Sequence, residues 1–136
     1  DASLLQLLLQ QGVFPLISSI GLSQQGDRLN VNADDAAVAV AQALGAKLIL
    51  LSNVSGVLDQ DKNLMTELNQ ELADTLIQQE VITDGMIVKV KSALAAATSL
   101  GGAVSVASWK DLAQFKQVLA GKPFGTTFLP ESIELT

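Results

Sequence analysis

The chain has 136 residues, enough for one domain with a real core, and only 4% of them are aromatic, so aliphatic side chains must fill that core. The net charge of −6 and a single arginine, Arg28, leave no basic face of the kind that nucleic-acid binding requires. With neither cysteine nor histidine, the chain lacks disulfides, thiolate metal sites and a histidine general base. It has no apolar run of the ~18 residues that a membrane span needs, and no visible signal peptide, so a cytoplasmic protein without membrane partners is expected.

The first part of the chain predicts a short helix, a strand and a small hairpin. Residues 2–11 have a helical pattern that Gly12 ends as a C′ glycine. The run "VFPLISSI", residues 13–20, predicts a buried strand, and Pro15 within it favours an edge or irregular position. Polar residues 24–27 predict the turn of the hairpin.

Alternating helices and strands follow. Residues 33–44 repeat small apolar side chains at the i, i+3, i+4, i+7 spacing of a packed helix, which Gly45 ends. The continuous apolar run "AKLILLS", residues 46–52, is typical of a parallel strand covered on both faces. Residues 53–68 indicate a loop and a small hairpin. Further helices are predicted over residues 69–80 (with Asn69 as the N-cap), 84–100 and 111–120, and further strands over residues 103–108 and 125–129. This alternation indicates an α/β sandwich with a mostly parallel sheet.

Ligands of such sheets bind at the carboxyl ends of the strands, so the polar residues predicted there are candidates for a site. They form the segments "NVNADD" (30–35), "SNVSG" (52–56), "TDGM" (83–86) and "SWKD" (108–111). The alternative is helix capping, since Asn at an N-cap and Asp in a first turn stabilise helices. Capping equally accounts for "TDGM", with Thr83 or Asp84 as the cap. The sequence alone leaves both interpretations open.

Lys89 also has two interpretations. Its neighbours on the same helix face are uncharged and mostly small, so its cation either extends to the surface or points into a cleft. Lys91 lies on a different face, where we expect it to be exposed. The chain has neither of the two common glycine-rich phosphate motifs. "GKPFGTT", residues 121–127, predicts only a turn into a strand, because no helix pattern follows it.

Three segments together resemble the C-terminal half of the N-acetylglutamate kinases, a branch of the amino acid kinase family. They are "LNVNADDAAVAVAQALGAKLILLSNVSGVL", "VITDGMIVKVKSALAAATSLGGAVSVASW" and "GKPFGTTF", and the resemblance covers nearly the whole chain in the family's order. "NVNAD" and "TDGM-x-x-K" are specific motifs. "NVNAD" separates this branch from the aspartate, glutamate, carbamate and uridylate kinases.

The resemblance implies a three-layer αβα sandwich, of which this chain would be the nucleotide-binding half. It implies an enzyme that uses ATP with Mg²⁺, the metal held mainly by the nucleotide phosphates. That enzyme phosphorylates the side-chain carboxylate of N-acetyl-L-glutamate, the second step of arginine biosynthesis. The complete enzyme is expected to be a cytoplasmic homodimer.

The resemblance also implies roles for individual residues. Lys89 matches the catalytic lysine that contacts the transferring phosphate and the leaving ADP. Asp34 matches the aspartate that orients the catalytic lysines, and Asn30 the asparagine that reaches the substrate's carboxylate. For Asn32 and Asp35 we expect only a capping role. Asn30 and Asp34 are four residues apart, and this spacing supports placing them on the same side of a helix start. The residues that match segments around the nucleotide are Ser52, Asn53, Val54, Gly56, Val81, Asp84, Gly85, Met86 and Lys89. No metal ligand is carried over.

The chain departs from the family pattern in two respects. Asn53 stands where family members often have Asp. The family's N-terminal half, with a glycine-rich loop, a second catalytic lysine and the main substrate pocket, has no counterpart, so we expect little or no turnover from this chain alone. Loss of the strands from that half predicts an open sheet edge and self-association. Two alternatives stay open: a non-catalytic nucleotide-binding module, and a kinase of the same family with another acceptor.

Overall fold

A computed structural model describes residues 2–111, 116–117, 122 and 124–131. The chain forms two compact units, Asp1–Ala46 and Lys47–Thr136. The helix predicted over residues 111–120 falls mostly outside the described residues. Among the helices within the described ranges, none has both the length and the apolar character that crossing a bilayer requires.

The first unit has two helices and a hairpin. α1 spans Ser3–Gln10, and α2 spans Ala33–Leu44, as its apolar spacing predicts. Between them, β1 (Ile20–Leu22) pairs antiparallel with β2 (Arg28–Asn30), which confirms the predicted hairpin. The Asn32 side chain caps α2 by accepting from the N–H groups of Asp34 at 2.8 Å and Asp35 at 3.2 Å.

The prediction of a buried strand over residues 13–20 is wrong. Residues 13–18 have no regular structure, and β1 begins only at Ile20. The side chains of Phe14 and Leu16 are 89% and 95% exposed. An apolar run forms a buried strand only where a neighbouring strand takes up its N–H and C=O groups, and no described strand pairs with residues 13–18.

The second unit is built on a four-stranded mixed sheet. Its strands are β3 (Leu48–Ser52), β4 (Glu67–Leu68), β5 (Val104–Ser108) and β6 (Thr126–Phe128). They lie in the order β3-β5-β6-β4, with β3–β5 and β4–β6 parallel and β5–β6 antiparallel. The predicted α/β class with a mostly parallel sheet is therefore confirmed.

Two further helices flank this sheet. α3 spans Gln70–Gln78, and Asn69 caps it as predicted, accepting from the Leu72 N–H at 2.9 Å. α4 spans Asp84–Leu100 and packs against β5, β6 and α3. The largest fully buried side chains of the unit come from the sheet, from α4 and from the turns; they are Val57, Leu68, Ile82, Val90, Val104, Thr126 and Phe128.

The segment between β3 and α3 contains more regular structure than the sequence predicts. The expected hairpin is present as an antiparallel bridge between Leu58 and Leu64. Beyond it, Glu67–Leu68 adds β4 to the edge of the sheet, parallel to β6. A two-residue strand has too little periodicity to be visible in a sequence, because its place depends on a partner about sixty residues further along the chain.

Gly125 allows β6 to approach β5 at its start. Its φ is +65°, and a Cβ at this position would meet the Val106 carbonyl oxygen and lie 3.0 Å from the Ala107 Cα. Gly125→Ala should therefore lower the free energy of unfolding by about 2–4 kcal/mol, from backbone strain and overpacking. Urea denaturation measures this. The matched control is Gly102→Ala, where a Cβ meets nothing within 4 Å, and equal losses for the two variants would contradict the close approach.

The cap of α2 gives a second prediction. Asn32→Ala should lower the stability of α2 by about 1 kcal/mol, because two N–H groups lose their acceptor. Asn32→Asp should retain it, since the carboxylate accepts the same bonds. Hydrogen exchange of the Asp34 and Asp35 amides measures the loss of these bonds directly and should become faster in Asn32→Ala. An unchanged exchange rate in Asn32→Ala would contradict the capping role.

Candidate functional site

Two strands of the second unit end side by side. Ser52, the last residue of β3, lies opposite Ser108, the last residue of β5. The Trp109 N–H extends the pairing by donating to the Ser52 carbonyl at 3.0 Å. The segments "SNVSG" and "SWKD" therefore leave the sheet side by side, at the carboxyl ends of β3 and β5, as expected for parallel strands.

Lys89 points toward this edge. From the second turn of α4, its half-buried side chain donates from Nζ to Ser52 Oγ at 3.0 Å and to Asn53 Oδ1 at 2.6 Å. The Ser52 hydroxyl in turn donates to Asn53 Oδ1 at 3.3 Å. Both acceptors are uncharged, so neither neutralises the ammonium group. Lys89 thus turns toward the strand ends and is not a purely surface residue, while Lys91 is exposed as predicted.

The start of α4 presents backbone N–H groups beside this lysine. Thr83 occupies the N-cap position, but α4 has no side-chain capping hydrogen bond there, so the capping interpretation of "TDGM" is met in position only. The main chain closes the first turn instead, with the Met86 N–H donating to the Thr83 carbonyl at 3.0 Å. Because a first helical turn carries N–H groups without intrahelical partners and a positive dipole end, this end of α4 favours an anion.

The backbone leading into α4 is unusual. Asp84 has a φ of +48°, in the left-handed region that side chains other than glycine rarely adopt. Just before it, Val81 is half-buried and its N–H donates to the Leu76 carbonyl at 2.9 Å. Gly85 follows with open space where a Cβ would lie. A strained residue next to an open helix start is the kind of feature that clusters at functional sites.

The loop after β3 is held tightly at its far end. Val54 is half-buried, and Gly56 is buried with a φ of +147°. A Cβ on Gly56 would lie 2.5 Å from Thr126 Oγ1 and 2.7 Å from Leu64 Cδ1. The main chain can follow this path only with glycine here.

The other candidate residues belong to the first unit. Asp34 is exposed in the first turn of α2. Asn30 is the last residue of β2 rather than part of a helix, so the helical-spacing argument for grouping it with Asp34 is wrong. Asn32 acts as a cap, as predicted. The second unit thus brings Lys89 together with Ser52 and Asn53, while Asn30 and Asp34 lie on a separate unit.

Sequence reasoning missed Thr126. Its side chain is 0% exposed, and its hydroxyl bonds to the backbone of Val57 and Met65. In the sequence, Thr126 and Thr127 are two adjacent threonines, and nothing in the pattern shows that the hydroxyl of one of them faces a loop. Only the register of β6 distinguishes Thr126 from Thr127.

The Amino acid kinase family matches residues 1–108. An acetylglutamate kinase from Vibrio vulnificus is 58% identical over 130 residues, which are 96% of this chain and 49% of that protein. The chain therefore spans about half the length of the curated relatives it matches.

Solved structures support the fold. The protein smu.665 from Streptococcus mutans superposes with a TM-score of 0.67 at 32% identity, covering 96% of this chain and 49% of that one. An N-acetylglutamate synthase from Neisseria gonorrhoeae gives a TM-score of 0.77 at 24% identity, covering 98% of this chain and 31% of that one, a likeness of fold alone. The family match covers most of the chain, including Lys89 and the strand ends that it contacts. The chain belongs to the amino acid kinase family.

Proposed function

We propose that this chain is the nucleotide-binding half of an N-acetylglutamate kinase, which transfers the γ-phosphate of ATP to the side-chain carboxylate of N-acetyl-L-glutamate. The observation that carries the proposal is the Lys89 ammonium held within 3.0 Å of Ser52 Oγ at the carboxyl end of β3. Proteins named acetylglutamate kinase that share more than half of its aligned residues support the choice of reaction.

The chemistry of this reaction suits a chain without histidine. A carboxylate has an ordinary pKa near 4, so it is already a nucleophile at neutral pH and needs no general base. The obstacle is bringing one anion against the phosphates of another. Fixed cations and N–H donors lower that barrier, because in phosphoryl transfer catalysis rests on positioning and electrostatic stabilisation.

Each candidate residue then has a part in this scheme. Lys89 contacts the transferring phosphate and the leaving ADP, exchanging its bonds to Ser52 and Asn53 for phosphate oxygens. The N–H groups of Asp84 and Gly85, at the start of α4, are offered to the same anion, while the Met86 N–H stays bonded to the Thr83 carbonyl. Asp34 orients the catalytic lysines, and Asn30 holds the substrate's carboxylate.

The nucleotide lies between two segments in this proposal. One comprises Ser52, Asn53, Val54 and Gly56, and the other begins at Val81. Asn53 accepts from Lys89 through a neutral amide at 2.6 Å, where an aspartate would pair with the ammonium group and offset its charge. Asn53 therefore leaves more of the positive charge of Lys89 for phosphate.

Magnesium enters this scheme with ATP, held mainly by the nucleotide phosphates. Across the described ranges, no three acidic side chains come close enough together to hold a metal ion. No step of the proposal depends on a protein-bound metal. The complete enzyme is proposed to be a cytoplasmic homodimer.

A second candidate function is a nucleotide-binding module without catalysis. The groups gathered at the end of β3 favour it, because Lys89, Ser52 and Asn53 can bind an anion without any reaction following. Retention of Asp34 and Lys89 argues against it, since binding alone does not require both. Turnover separates the two functions.

The first test is calorimetric titration of MgADP into this chain. Saturable binding is expected, and Lys89→Ala should weaken it about 10- to 100-fold, as expected for the loss of a charge-assisted bond worth about 1.5–3 kcal/mol. Lys91→Ala is the matched control, since it removes the same charge from an exposed position on the same helix. Equal weakening by the two variants would show a general charge effect and contradict a specific site.

The second test measures acyl phosphate formation, trapped with hydroxylamine. The chain is assayed alone and mixed with the part of the Vibrio vulnificus relative that it does not match. Turnover is expected only in the mixture and only with N-acetyl-L-glutamate, and Lys89→Ala should reduce it about 100- to 1,000-fold, as for loss of an electrostatic donor. Activity with aspartate, glutamate or carbamate instead would identify a different acceptor. A mixture that binds MgADP without turnover would favour the non-catalytic module.

A further inference from the structure

One buried hydroxyl links the last described strand to the loop after β3. Thr126 Oγ1 accepts from the Val57 N–H at 2.8 Å and donates to the Met65 carbonyl at 2.7 Å. Thr126 is 0% exposed and Val57 is 2% exposed. The hydroxyl therefore satisfies two main-chain groups where water cannot readily replace it, and an unpaired buried group is costly.

These bonds close a ring at the base of the hairpin. The Met65 N–H donates to the Val57 carbonyl at 2.8 Å, so Val57 and Met65 are joined both to each other and to Thr126. The bridge between Leu58 and Leu64 lies directly beyond this ring. Thr126 thus fixes where the hairpin begins, and with it where the preceding loop must end.

The preceding loop, residues 53–57, contains residues proposed to lie around the nucleotide. Its first residue, Asn53, accepts from Lys89, and its last, Val57, donates to Thr126. Between them, Gly56 passes so close to Thr126 Oγ1 that a Cβ would lie 2.5 Å from it. The 53–57 loop is thus held at both ends by side chains from distant parts of the chain.

We propose that Thr126 is a positioning residue for nucleotide binding: without touching the ligand, its hydroxyl sets the path of the 53–57 loop. This inference rests on the proposed function, since it assigns the consequence of the contact to nucleotide affinity. The hydroxyl is the necessary feature, because an apolar side chain of the same shape fills the space but bonds neither Val57 nor Met65.

The chain offers a matched set of variants. Thr126→Val removes the hydroxyl at nearly constant volume, and Thr126→Ser keeps the hydroxyl. Thr127→Val is the control, because its neighbouring hydroxyl lies 3.4 Å from Ser105 Oγ and contacts nothing in the loop. Gly56→Ala disturbs the same contact from the loop side. Each variant is measured by MgADP titration, by amide hydrogen exchange at Val57 and by thermal unfolding.

In Thr126→Val, Val57 should exchange at least about 10-fold faster and the dissociation constant for MgADP should rise about 10-fold. Thr126→Ser should stay within about threefold of the unsubstituted chain, and Thr127→Val within about twofold. Gly56→Ala should weaken binding as Thr126→Val does.

Several results would overturn the inference. A Thr126→Val variant that loses stability but binds MgADP normally would show that the residue is merely structural. Equal binding by Thr126→Ser and Thr126→Val would show that volume matters rather than the hydroxyl. If Thr126→Val fails to fold, MgADP binding by Gly56→Ala and Thr126→Ser tests the inference in its place. Normal MgADP binding by Gly56→Ala would reject the positioning role of Thr126. An unsubstituted chain that does not bind MgADP refutes the proposed nucleotide site, and Val57 exchange then decides the positioning of the loop separately.

Discussion

The arrangement of the second unit depends on the parallel pairing of β3 with β5. Because the two strands run in the same direction, their carboxyl ends lie side by side. Parallel strands need a long connection, and here residues 53–103 supply it, including the hairpin, β4, α3 and α4. Because α4 returns across β5 and β6, its second turn lies within reach of Ser52.

The site is therefore assembled from separate stretches of chain that each supply one kind of group. β3 ends in hydroxyl and amide acceptors, α4 provides a cation and open N–H groups, and β6 provides a hydroxyl that supports the loop. None of these groups is reactive on its own. Their combination suits a reaction in which the protein gathers and stabilises negative charge and leaves the bond-making to the two substrates.

Much of this fold could be predicted from the sequence, because the relevant signals are local. The bounds of α2 and α4 follow from apolar spacing and from the glycines after them, and β3 and β5 follow from short apolar runs. The direction of Lys89 could not be predicted, since small neighbours fit both a surface and a cleft. The exposure of residues 13–18 could not be predicted either. Hydropathy shows that a segment tends to be buried, but it does not show whether another element is there to pack against it. The role of Thr126 depends on strand register, which a two-residue pattern does not encode.

The turn between α3 and α4 has a further consequence. Glu80, with a φ of +57°, and Asp84, with a φ of +48°, bracket the three residues that lead into α4, and Ile82 between them is buried at 2% exposure. Each left-handed residue costs about 1–2 kcal/mol, so this turn stores conformational energy that the burial of Ile82 helps to offset. If a ligand bound at the start of α4 and Asp84 then adopted an unstrained φ, the strain energy would be released. That energy would add to the binding free energy, so part of the affinity would come from the protein and not from new contacts.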